Sequence, residues 1–168
     1  MEPEWGEALM RWSVRLAVAA IAARVATELF NRGTKGPWPR RWWTAGCVLY
    51  LLHVTAAFHF VHHWSHAAAY ESTARQTREM TGVDWGGGLW LNDLFTALWC
   101  GDVLLWWTAP RVRQRIPRAG RHLYCGWFAF MVLNATIVFG PPFWKPVGVA
   151  TALALGILLI RRRRQLRY

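Results

Sequence analysis

A chain of 168 residues has room for one domain, and 54% of this one is hydrophobic, with 13 tryptophans. Its formal charge of +11 falls in short basic blocks between long apolar runs. That distribution argues against a nucleic-acid-binding protein and for an integral membrane protein, in which indoles favour the membrane–water boundary.

The N-terminus, MEPEWGEALMRW, begins acidic where a secretory signal begins basic, and shows no small-residue cleavage site. The mature chain is therefore expected to start near Met1. The first helical stretch, 8–30, is Ala-rich but carries Arg11, Arg15, Arg24 and Glu28. Each charge near a helix centre costs about 2.5–3.5 kcal/mol to insert. The stretch is read either as a span whose arginines snorkel or pair, or as an amphipathic helix on the inner surface. If it spans, Arg24 reaches the depth of Asp102 and a salt bridge between them is expected.

Four further stretches, 42–62, 88–107, 122–139 and 143–160, meet or nearly meet the roughly 20 apolar residues that a span requires. Proline and glycine punctuate their junctions. The expected fold class is an all-α integral membrane bundle of five spans, or four plus one interfacial helix, forming a single domain. Basic residues crowd three connections: Arg32 to Arg41, Arg111 to Arg121, and Arg161 to Arg167. The positive-inside rule makes that face cytoplasmic, so the N-terminus lies outside and the C-terminus inside a plasma (inner) membrane. Trp38, Trp42, Trp43, Trp106 and Trp107 then form an inner belt, and Trp64, Trp85 and Trp144 an outer one. Between the second and third stretches, Glu71, Arg75 and Glu79 at i, i+4 spacing predict a helix over about 67–81 with Gly82 as its stop.

Five of the six histidines lie in HVTAAFHFVHHWSH, residues 53–66. On a continuing helix His59, His63 and His66 fall within about 60° of one another, with His62 at their border and His53 pointing elsewhere. Asn92, Asp93 and Asn134 are expected at a similar depth, at the outer boundary. The functional reading is a transition-metal site of His59, His62, His63 and His66 with Asp93 as ligand or orienting carboxylate. Imidazole suits Zn, Cu, Fe or Ni without selecting among them. The alternative is an interfacial helix end, in a non-catalytic structural or accessory subunit of a membrane complex.

The HxxHH form of HFVHH resembles one histidine box of the membrane di-iron desaturases and hydroxylases. Those enzymes draw histidines from several boxes on the cytoplasmic side, whereas this chain has one box on the opposite face, so nothing is carried over. A b-type haem is a weaker alternative. Two histidines of one helix cannot ligate one iron from opposite faces, and His53 and His122 differ in depth, so haem needs a homodimer partner or Met131.

Cys47, Cys100 and Cys125 form no CxxC pair and read as small apolar packing groups. The expected partners are the lipid bilayer, anionic lipid at the C-terminal arginine run, and either a second copy or a membrane-complex subunit.

Overall fold

The computed structural model describes residues 4–30 and 37–138, with isolated helical positions at 146, 149, 150 and 153. All regular structure among the described residues is helical: α1 (Glu4–Phe30), α2 (Trp38–Phe60), α3 (His66–Thr81), α4 (Gly88–Thr108), α5 (Pro110–Arg115) and α6 (Arg118–Leu133), followed by a π-helical turn at Asn134–Val138. One helix among them, α2, is long and apolar enough to cross a membrane. The last expected span, 143–160, lies almost wholly outside the described residues, as do Trp144 and the C-terminal arginines.

The chain divides into two compact units, Met1–Gln114 and Arg115–Tyr168. In the first, α1 packs antiparallel along α2. Gly6 meets the Phe60 ring at one end, Met10 accepts from His53 further along, Ala17 lies against Gly46, and Arg24 reaches Trp43 at the other end. Gly6, Ser13, Ala17 and Ala20 make this possible, because they fall on one heptad stripe and the last three are almost completely buried. Small residues let two backbones approach closely, which is how helices associate where no hydrophobic gain separates lipid from protein. A Cβ on Gly46 would lie 3.1 Å from the Trp99 ring.

Pro37 and Pro39 pre-set the start of α2, where their missing N–H groups cost nothing. Its other end corrects the expectation of a helix continuing to His62 and beyond. The helix closes at Phe60 and the chain turns sharply: His63 (φ 46°) and Trp64 (φ 60°) are both left-handed. The His62 N–H donates to the Ala57 carbonyl at 3.1 Å and the Trp64 N–H to that of Phe58 at 2.8 Å, so two of the last four carbonyls of α2 are satisfied within the turn. The Ser65 hydroxyl then accepts from the Ala68 N–H at 3.2 Å and caps α3. The expected helix over 67–81 is present, and Gly82 ends it with φ 78°.

Helix α3 folds back onto the start of α4. A Cβ on Gly86 would come within 2.5 Å of the Tyr70 carbonyl oxygen, and one on Gly88 within 3.0 Å of Thr73. The glycines at 86–88 therefore permit a close backbone crossing. Helix α4 runs antiparallel to α2, and Trp99 anchors the pair. It is 1% exposed and packs against Trp43, Tyr50 and Phe95 with ring centroids 5.0–5.5 Å apart.

In the second unit Phe128 is buried against Tyr124. The Asn134 side chain donates to the Phe130 carbonyl one turn back, at 2.9 Å.

Candidate functional site

The ends of the α1–α2–α4 unit carry different chemistry. At the histidine end, the break after Phe60 removes the face on which His59, His63 and His66 were expected to align. His59 remains on α2, where its Nδ1 accepts from the Trp64 indole N–H at 3.2 Å. A neutral imidazole accepting at Nδ1 carries its proton on Nε2. Neither nitrogen then presents a free lone pair to a metal ion. His62 packs edge-on against Phe58 at 5.6 Å, and His66 lies over the same ring at 5.0 Å and parallel to Trp90 at 6.5 Å. His63, in the left-handed turn, is exposed. Partial burial, and then the neighbouring His63, hold the His62 imidazole below its ordinary range.

Asp93 is half-buried on α4, two residues before Phe95, whose ring meets Tyr50 of α2 at 5.2 Å. Tyr50 lies nine residues, about 13 Å, along the helix from His59. No ion pair or hydrogen bond joins Asp93 to a histidine among the described residues. Nor, among those residues, do three or more His, Cys, Asp or Glu side chains gather as a group able to hold a metal ion. His53 points away from the others, as expected. Its Nδ1 is 2.9 Å from the Met10 carbonyl, which fixes Nδ1 as the protonated nitrogen and ties α2 to α1.

The opposite end holds a connected polar cluster. Asp102 on α4 accepts from the Trp43 indole N–H at 2.8 Å, from Arg113 Nε at 2.7 Å and from Arg113 Nη2 at 3.1 Å. The carboxylate is 11% exposed and Arg113 26%, so this two-pronged pair is substantially shielded from water. Arg113 also lies over the Trp106 ring at 4.0 Å. Arg24 reaches the same cluster from α1, over Trp43 at 3.9 Å and Trp106 at 5.4 Å. Beside it Arg40 covers Trp107 at 3.8 Å, while the Trp107 N–H donates to Thr44 at 2.9 Å.

The expected Asp102 bridge to Arg24 is thus replaced by one to Arg113, a residue read from sequence as a loop charge. No spacing rule announces this contact, because it arises only when the chain breaks at Ala109 and α5 folds back toward the carboxylate. Trp43, expected in the inner belt, is 3% exposed and belongs to the core, whereas Trp38, Trp42 and Trp107 are exposed.

Comparison of the chain with family models, curated proteins and solved structures finds no match.

Proposed function

We propose that this is an integral membrane protein in which α1, α2 and α4 cross the bilayer as one antiparallel unit, acting as a non-catalytic structural or accessory subunit of a membrane complex. One observation carries the reading: the outer faces of α2 and α4 are apolar, while several polar side chains are turned inward. Asp102, His53 and Ser13 are turned inward and hydrogen-bonded. Val48, Leu51 and Leu52 of α2 and Trp90, Leu94, Leu98 and Leu104 of α4 are exposed. In water such contiguous apolar surface is a liability. In lipid it is the ordinary outer face of a span, and inward ionisable groups find partners.

The basic connections place Arg40, Arg41 and Arg111 on the cytoplasmic side and α3 on the outer side, in a five-span arrangement of the plasma membrane that includes 122–139 and 143–160. Labelling of cysteines introduced at Ser72 and Arg111 in intact cells or sealed vesicles tests this. We expect modification from opposite sides, with Arg111 cytoplasmic. Reaction from one side, or release of the protein by alkaline carbonate, overturns it.

A second reading keeps the histidines as a transition-metal site. It rests on the packing of His62 and His66 against Phe58, with His59 bonded to Trp64, in the turn that joins α2 to α3. It requires the Trp64–His59 bond to open and Asp93 or His63 to swing in. Elemental analysis and a visible spectrum of the purified protein decide it. Stoichiometric Zn, Cu, Fe or Ni supports this reading, a Soret band supports haem, and the absence of both leaves the subunit reading.

A further inference from the structure

Cys47 and Cys100 were read from sequence as scattered packing groups, yet the fold brings them face to face. Cys47 lies on α2 one turn beyond Trp43, and Cys100 lies on α4 between Trp99 and Asp102. Their sulfurs are 3.7 Å apart and both are free thiols. A disulfide needs about 2.05 Å between sulfurs. Closure requires the two side chains to rotate toward each other across the α2–α4 contact. The two thiols also differ in access: Cys47 is 4% exposed, whereas Cys100 is only half-buried. An attacking thiol must be reachable and a resolving thiol need only be close, so the pair has the asymmetry that thiol–disulfide exchange requires.

We propose that Cys47 and Cys100 are a modification site: a dithiol that closes to an intramolecular disulfide between α2 and α4 when it meets an apolar disulfide oxidant. The Cys100 thiolate attacks one sulfur of the oxidant, RSSR, forming a mixed disulfide and expelling one thiolate, RS⁻. The Cys47 thiolate then attacks Cys100 Sγ and expels the second. Two protein thiols and one RSSR become one protein disulfide and two RSH. The pair borders the apolar faces of α2 and α4, which selects an oxidant that partitions into lipid over a charged one. Closure cross-links two helices that Trp99 and the Trp43–Asp102 bond already hold together. It therefore locks the cluster around Asp102 in place. The disulfide itself rests on α2–α4 packing alone, whereas the choice of an apolar oxidant rests on the membrane reading.

The test uses the full-length Cys125→Ser protein in detergent, treated with 4,4′-dithiodipyridine. We expect two thiopyridone molecules released per chain, no retained pyridyl group, a mass lower by two hydrogen atoms, and a cross-linked peptide joining Cys47 to Cys100. A second protein carrying Cys47→Ser as well should keep one stable pyridyl adduct on Cys100. If that variant fails to fold, the mass and the cross-link of the first protein still decide. Two stable adducts, one adduct beside a free thiol, two unreacted thiols, or disulfide-linked dimers would each overturn the proposal. Charged 5,5′-dithiobis(2-nitrobenzoate) should close the disulfide at least ten times more slowly than the apolar reagent. Equal rates would overturn the selection for an apolar oxidant.

Discussion

The two ends of the α1–α2–α4 unit are both dense in aromatic and ionisable side chains, and they use them in opposite ways. Around Asp102, side chains from α2, α4 and α5 meet on one carboxylate, and Arg24 of α1 closes over the indoles. Around His59 the backbone itself turns over, and the imidazoles pack on aromatic rings, two of them on Phe58. The difference teaches that crowding of polar residues in sequence is a poor guide to a shared site. What matters is whether regular elements converge on a common acceptor. One carboxylate from α4 organises the first end, while four histidines close in sequence leave the other end organised by its backbone.

The sharpest way to break this comparison is to remove that acceptor. Asp102→Ala removes the carboxylate that accepts from Arg113 and the Trp43 N–H in a site shielded from water, and we expect a loss of about 3 kcal/mol. Unfolding of the purified protein by increasing SDS or urea in detergent measures it. A loss below about 1 kcal/mol would reduce the cluster to a surface ion pair.

At the histidine end, backbone packing should matter more than any imidazole. Gly86→Ala pushes a methyl group into the Tyr70 carbonyl and should cost about 2 kcal/mol in the same assay. Its effect on proteolysis between α3 and α4 should exceed that of His66→Ala.

His63→Gly distinguishes a strained turn from a ligand more directly. The left-handed conformation of His63 costs a side-chain-bearing residue about 1–2 kcal/mol relative to glycine. Part of that gain is offset by the greater freedom of glycine in the unfolded chain. The replacement should stabilise the protein by about 0.5 kcal/mol, whereas loss of stability together with bound metal would revive the metal site.

The smallest effect concerns pH. His62 in the folded protein resists protonation through partial burial and then through His63, so the unfolded chain takes up the proton first. Its contribution is intact above the ordinary imidazole range, near pH 6.5, and declines as pH falls through that range toward the folded value. His62→Gln should remove a shallow acidic slope from the unfolding midpoint without changing it at pH 8.

Most of the helical layout could be read from the chain, because proline, glycine and basic blocks mark its junctions. The α3 helix and its Gly82 stop followed from one charge ladder and one glycine. The turn at 61–65 did not, since its left-handed residues are histidine and tryptophan in place of the glycine that usually announces such a cap. The α1–α2 seam was missed for another reason. Its stripe of Gly6, Ser13, Ala17 and Ala20 has heptad spacing, and a search for GxxxG passes over it. Asp102 was correctly singled out, but its partner depended on α5 folding back, which no periodicity encodes.

The small-residue seam has a consequence for how the protein is made. Helix α1 does not pass as a span on its own composition, yet it lies along the whole of α2, with Arg24 set on the face of Trp43 and Met10 bonded to His53. If α2 enters the bilayer, α1 has its compensating contacts only in α2's company. The unit of membrane insertion is then the hairpin, and the insertion energy of α1 cannot be assigned to α1 alone. A ribosome that had exposed α1 but not yet α2 would be presenting a segment the translocon should hold back, and the decision to integrate it would wait on roughly thirty more residues of synthesis.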